Sequence, residues 1–254
     1  MKPYYEASGI TIYHGDCREI LPQIESADLV LTDPPYGHNN NNGDLIHNRE
    51  KALGVATETP AEDRAIANDG EIEASELVQF LFSEAARMLK PGCCCCCCCG
   101  GGGPDPQFAR WSLWLDKELN FKQMVVWDKG PMGMGWHYRR SYEVILVAEK
   151  PGAACRWFGG NATENIIRPT PSIQKIIPQK ADHPTPKPIA LMAHFIRLHT
   201  EIGDLVVEPF AGGGSTLVAA KNLGRRAIGI ELEEKYCEIS ARRLQQEVLD
   251  FSVK

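Results

Sequence analysis

The apolar residues of this chain fall into two patterns. Short unbroken runs alternate with longer stretches at helical spacing. Ile10 to Tyr13 reads as a short strand, and A-D-L-V-L-T (Ala27 to Thr32) as a buried strand closed by Pro34 and Pro35. From Ser75 to Leu89 the apolar positions Leu77, Val78, Leu81, Phe82, Ala85 and Leu89 keep a helical period, and Pro91 with Gly92 is expected to end that helix. Gln107 to Glu118 reads as a helix, and Phe121 to Trp127 and Tyr142 to Ala148 as strands. Pro186 to Leu198 is a predicted helix and Asp204 to Glu208 a strand. Ser215 to Leu223 (helix), Ala227 to Glu231 (strand) and Glu233 to Val248 (helix) complete the pattern. Strands alternating with helices predict an α/β fold with a mainly parallel sheet covered on both faces.

Three stretches break the pattern. Gly37 to Gly70 is polar and rich in Asn, and reads as a mobile loop or insertion. Pro151 to Pro184 has little period of its own. Cys93 to Cys99 is a run of seven cysteines followed by the turn Gly100 to Pro104. Seven adjacent thiols cannot form a disulfide framework, and no zinc spacing exists outside the run. Free Cys behaves as a small hydrophobe, so the run is expected to be a buried strand in a reducing compartment.

With 254 residues and 43% hydrophobic content, the chain fits one domain, 1–254, with a substantial core. No apolar stretch approaches the roughly 20 residues of a membrane span, and the first residues lack signal-peptide character. A cytoplasmic protein without membrane contact is expected. The net charge of −6 is unevenly spread. Residues 1–120 carry a balance of −10, residues 121–200 of +6 and residues 201–254 of −2. The basic middle segment is the candidate face for a polyanion.

The candidate chemistry lies in two motifs. L-V-V-E (Leu205 to Glu208) leads into Pro209, Phe210, Ala211, Gly212, Gly213, Gly214, Ser215 and Thr216 and then a helix. A Gly-rich turn between strand and helix admits a ligand close to the backbone. A P-loop is excluded, because Gly214 stands where its Lys belongs. A dinucleotide fingerprint is weakened by Leu217 at its third small position. Glu231 closes the next strand, where a carboxylate is placed to hold two ribose hydroxyls. A nucleoside cofactor without phosphates at the loop is implied, and S-adenosylmethionine fits.

The second motif is Asp33-Pro34-Pro35-Tyr36, at the end of the strand A-D-L-V-L-T. An exocyclic base amine is a poor nucleophile, because its lone pair is delocalised into the ring. Acceptors on its N–H groups free that lone pair. Asp33 offers one acceptor and the Pro34 carbonyl another, on a backbone stiffened by proline. Tyr36 can stack on a base drawn out of the duplex.

Together these motifs resemble the amino-methyltransferases of DNA. D-P-P-Y comes first and the Gly-rich loop lies near the C-terminus, a circularly permuted order that resembles the β group of that family. The likeness runs from H-G-D-C-R-E-I-L (His14 to Leu21) to the final helix. It implies a Rossmann-like, S-adenosylmethionine-dependent methyltransferase fold whose mainly parallel sheet has one antiparallel strand. It places Asp16 near the cofactor adenine. W-D-K-G-P-M-G-M-G-W-H-Y-R-R-S-Y-E (Trp127 to Glu143) resembles the segment beside the target pocket, and H-P-T-P-K-P (His183 to Pro188) the segment before the last lobe. Thr185 and Lys187 of the latter would lie near the methionine end of the cofactor. Glu208 departs from the family's more frequent Asp, and the candidate target-recognition region, 150–183, is short. The expected reaction is methyl transfer to adenine N6 of double-stranded DNA, since D-P-P-Y leans toward adenine and S-P-P-Y toward cytosine N4. Dimers are common in that group, so a homodimer is among the assemblies it implies.

Arg139 and Arg140 are the candidate phosphate contacts. The seven histidines form no metal set, and no catalytic metal is expected. Trp111 and Trp114 read as core. The rival readings are cytosine-N4 transfer, an RNA or side-chain amide methyltransferase, and a binding module without turnover.

Overall fold

A computed structural model describes residues 1–40, 65–99, 107–130, 141–168 and 187–246. The described elements, in chain order, are β1 (Tyr5–Ala7), β2 (Ile10–His14), α1 (Cys17–Ile20), β3 (Ala27–Thr32), α2 (Glu71–Met88), β4 (Leu89–Cys99) and α3 (Gln107–Glu118). They continue with β5 (Asn120–Asp128), β6 (Tyr142–Glu149), β7 (Ile166–Ile167), α4 (Ile189–His199), β8 (Leu205–Glu208), α5 (Ser215–Asn222), β9 (Arg226–Glu231) and α6 (Glu234–Gln245). The strands form one sheet in the order β1-β2-β9-β8-β3-β4-β6-β5-β7. β6 is the expected antiparallel strand, running against both β4 and β5. The short β1 also runs against its neighbour β2.

The order explains how two distant motifs meet. β3 lies between β8 and β4 and is parallel to both, with Leu29 opposite Val206 and Cys95 opposite Val30. Asp33 and Pro209 therefore leave the sheet at the same end. That end is the usual ligand crevice of an open α/β sheet.

The cysteine run is the centre of β4. Cys94, Cys96 and Cys98 join one core layer with Phe195 and Leu217. Cys93, Cys95, Cys97 and Cys99 join the other, with Phe82 and Trp111. Helices cover both faces, so the strand needs no polar side and a single small apolar residue satisfies every position. Burial pushes the thiols of Cys95, Cys96, Cys97 and Cys98 well above the ordinary range, which leaves them un-ionised.

The first long helix differs from its sequence reading. It starts at Glu71 and ends at Met88, and Leu89 already has extended geometry (φ −63°, ψ 136°). Pro91 and Gly92 lie inside β4 rather than ending the helix. The pairing with β3 jumps from Ala27↔Leu89 to Leu29↔Cys94, so both residues sit in a bulge, where Pro91 has no ladder donor to lose and the Gly92 amide donates to the Lys150 carbonyl at 2.8 Å. Trp111 is buried, as expected of a core residue, and Trp114 packs partly against the same layer.

The chain after β6 begins far from the crevice. Arg156 pairs with Asp28 at 3.0 Å, Asp204 at 2.9 Å and Glu201 at 3.1 Å. Asp28 and Asp204 stand at the amino ends of β3 and β8, opposite the end where Asp33 emerges. β7 then pairs with Val126 and Trp127 and brings the chain back toward the crevice.

Candidate active site

The carboxyl ends of β2, β9, β8 and β3 line one pocket. At its first end, the Gly15 amide donates to the Glu231 carbonyl at 2.9 Å, which sets Asp16 beside Glu231. Asp16 caps α1 through the Arg18 amide (2.8 Å) and also accepts from the Arg18 side chain. That guanidinium holds the Asp16 carboxyl below its ordinary range. One Glu231 oxygen accepts from the Gly212 amide (2.7 Å), the other from the Glu233 amide (2.8 Å). A carboxylate has about four lone-pair sites, so each oxygen retains capacity for one hydroxyl.

The Gly-rich loop is held from behind. The Ser240 hydroxyl donates to the Gly212 carbonyl (2.7 Å), and Arg243 donates to that of Gly213. Gly214 has φ +76°, and a Cβ there would lie 2.7 Å from the Ser240 hydroxyl. Only glycine lets α6 approach so closely. Among the residues singled out from the sequence, Gly214 faces α6, while Pro209, Phe210, Ala211, Gly212, Gly213, Ser215 and Thr216 line the pocket.

Glu208 is buried beneath the loop. Its oxygens accept from the Phe210 amide (3.1 Å) and the Thr216 hydroxyl (2.9 Å). Burial pushes its carboxyl up to about 8, against the pull of those donors. The folded protein thus holds a proton that an unfolded chain, with its ordinary value of 4.5, releases. Stability contributed by this group is present below pH 4.5 and falls as pH rises toward about 8. Thermal melting from pH 5 to 9 is expected to show this decline, and Glu208→Gln to flatten it. A variant with the native pH slope would remove Glu208 as its source.

At the other end stands D-P-P-Y. Asp33, Pro34, Pro35 and Tyr36 all line the pocket. The Tyr36 hydroxyl donates to Asp33 Oδ1. Burial, then the neighbouring Asp33 carboxylate, pushes the phenol far above its ordinary range, so it remains a donor. Lys187 lines the same pocket, but its ammonium is spent on D-P-P-Y. Its Nζ is 2.7 Å from both Asp33 oxygens and 2.7 Å from the Tyr36 hydroxyl. Burial works against the charge on Lys187, yet Asp33 and Glu143 outweigh it and hold the ammonium well above the ordinary lysine range.

The ends of the 37–70 stretch form a clasp beside this motif. Asp69 accepts from the Gly37 amide (2.8 Å) and the Asn40 amide (3.0 Å), and its carbonyl from the Asn39 amide (2.7 Å). Gly37 has φ +73°, with the Glu71 backbone 3.3 Å from where a Cβ would stand. Ala65 to Asn68 then supply a wall of the pocket. Residues 41–64 lie outside the described residues, as do Arg139, Arg140 and Thr185. Sequence reasoning passed over Asp69, Met192, Glu233 and Tyr236. Glu143 closes the Trp127 to Glu143 stretch, but nothing in the sequence marks it as a partner of Lys187.

The basic middle segment spends much of its charge internally. Lys122 pairs with Glu149, Lys129 with Glu143, Arg156 with Asp28, Arg168 with Glu164 and Lys187 with Asp33.

A family model described as DNA methylase, of the N6/N4 type, matches residues 27–242. The chain belongs to this family. It is an S-adenosylmethionine-dependent DNA methyltransferase. It is 28% identical to the Type II methyltransferase M2.DpnII of Streptococcus pneumoniae, over 97% of this chain and 93% of that one. It is also 28% identical to the DNA adenine methyltransferase YhdJ of Escherichia coli, over 92% of this chain and 82% of that one. Among solved structures, the complex of M1.HpyAVI with S-adenosylmethionine matches with a TM-score of 0.64 at 26% identity, covering 93% of this chain and all of that one. The cytosine-N4-specific PvuII enzyme shares the fold, with a TM-score of 0.69 at 21% identity, covering 100% of this chain and 91% of that one.

The pocket suits the family's cofactor. Acidic acceptors at Asp16 and Glu231 suit a nucleoside, and the glycine backbone leaves room without a phosphate-binding Lys. Among the described residues no helix is long and apolar enough to cross a membrane.

Proposed function

We propose that this DNA methyltransferase acts on adenine N6 of double-stranded DNA, with the target base flipped into the D-P-P-Y end of the pocket. The observation that carries this reading is the shared pocket. The acceptors of an amine, at Asp33 and Pro34, lie in one crevice with the nucleoside-type acceptors Asp16 and Glu231. The Asp at the head of the motif and the naming of YhdJ as an adenine enzyme favour adenine.

In this reading Glu231 accepts from the cofactor ribose, Asp16 lies by its adenine, and the 209–216 turn packs along its length. S-adenosylmethionine supplies a methyl group already activated on a sulfonium. Asp33 accepts one N–H of the target amine and the Pro34 carbonyl the other, which localises the nitrogen lone pair. The Tyr36 ring supports the flipped base, where stacking is worth about 1–3 kcal/mol. Alignment of amine and methyl group does most of the remaining work.

Arg139 and Arg140, in the stretch that resembles the family's segment beside the target pocket, are the proposed phosphate contacts. Site recognition is proposed for 150–183, whose first part Arg156 anchors to Asp28 and Asp204. A cytoplasmic enzyme is proposed, with a homodimer as the candidate assembly.

The test is to incubate the protein with S-adenosylmethionine and unmethylated DNA, digest to nucleosides and identify them by mass spectrometry. N6-methyladenine is expected. N4-methylcytosine would overturn the choice of base and leave the roles of Asp33 and Pro34 standing. Absence of both, with cofactor binding shown separately, would favour RNA as substrate or a binding module without turnover.

A further inference from the structure

The Asp33 carboxylate is already engaged. The Lys187 ammonium straddles both its oxygens at 2.7 Å, and the Tyr36 hydroxyl takes one of them as well. Lys187 therefore stands where an entering amine would have to place its N–H. A cation there also opposes the reaction. As the amine attacks a sulfonium carbon, positive charge develops on its nitrogen, and a neighbouring ammonium raises the energy of that state.

The ammonium cannot escape by losing its proton easily, because the surrounding carboxylates favour its charged form. It needs a second anion. One is within reach: Glu143 Oε2 is 3.5 Å from Nζ. Glu143 is itself held in place, with Oε1 bound to Lys129 at 2.6 Å. The side chains of the four are largely shielded, at 9% exposure for Lys187, 17% for Glu143, 21% for Asp33 and 22% for Lys129. The backbone of Lys187 is restrained by Pro188, which opens α4. Its four-carbon stem can still swing the ammonium from one carboxylate to the other without moving that helix.

We propose that Glu143 is the seat to which the Lys187 ammonium moves when the target amine takes its place on Asp33. This rests on Asp33 as the amine acceptor. Glu143 is then a positioning residue that acts through Lys187 and touches neither base nor cofactor. Lys187 keeps the empty carboxylate paired between turnovers and gives way only when a neutral amine replaces it.

The test uses the full-length protein, S-adenosylmethionine and unmethylated DNA. Glu143→Gln leaves the ammonium no second seat, and is expected to lower kcat by about 30-fold or more with cofactor affinity unchanged. Glu143→Gln combined with Lys187→Met removes the blocking cation and restores neutrality. It is expected to recover kcat to within about tenfold of native. A purely structural role for Glu143 predicts no such rescue. Native kcat in Glu143→Gln, or a double variant as slow as the single one, would overturn the proposal. Should Glu143→Gln not fold, Glu143→Asp keeps the charge at a longer reach. It is expected to give intermediate kcat, and native kcat in it would count against the seat. Asp33→Asn separates the two layers. If it retains transfer, the role of Asp33 fails; if it loses transfer while Glu143→Gln does not, only the present inference fails.

Discussion

Asp33→Ala is expected to reduce methyl transfer by about 10²–10³-fold, the usual cost of deleting one preorganised group that acts on the transition state. Cofactor affinity should stay near native, because the carboxylate faces the amine end of the pocket and Glu231 anchors the other end. The substitution also removes the main counter-charge of a buried ammonium. Part of that loss is recovered at Glu143, 3.5 Å from Lys187. The folded state must therefore be checked by melting before kinetics are compared. Isothermal titration with S-adenosylmethionine and single-turnover transfer into unmethylated DNA give the two numbers. Transfer at the native rate by a folded variant would remove Asp33 from the reaction.

Glu231→Ala is expected to do the reverse. Hydrogen bonds to a charged group contribute about 1.5–3 kcal/mol each, so losing two ribose contacts weakens cofactor binding by about 100-fold or more. The change also releases the Gly212 and Glu233 amides, loosening the turn that carries the cofactor. Transfer at saturating cofactor should suffer far less than affinity. A variant that binds S-adenosylmethionine as tightly as native protein would show that Glu231 only braces the loop.

Local pattern was a sound guide wherever contacts are local. The stripe from Leu77 to Ala85 marked α2, and the turn chemistry of 209–216 marked the loop before α5. Even the seven cysteines were legible, because a strand buried on both faces selects size and apolarity rather than alternation. The end of α2 is not legible locally, because Pro91 and Gly92 usually punctuate helices. Here a bulge opposite Ala27–Leu29 accommodates them, and that pairing partner is invisible to a local reading. The same limit applied to the site. Asp33, Glu208 and Glu231 carry motif signals in their flanking residues. The H-P-T-P-K-P resemblance marks Lys187, but nothing in the sequence shows that its charge settles on a carboxylate 154 positions away. Glu143 and Asp69 have no motif at all, and only the fold shows what they hold.

The position of β3 between β4 and β8 also has a consequence for synthesis. A chain emerging from the ribosome presents β3 and the cysteine-rich β4 long before Leu205–Glu208 exists to pair with the other edge of β3. At roughly 5–20 residues per second, that edge waits several seconds or longer for its partner. During this interval a largely apolar strand edge, with a buried Asp28 among its residues, and seven reduced thiols lack their final cover on one side. Nascent-chain handling, rather than the stability of the finished enzyme, is then the stage at which chaperone supply and redox conditions govern its yield.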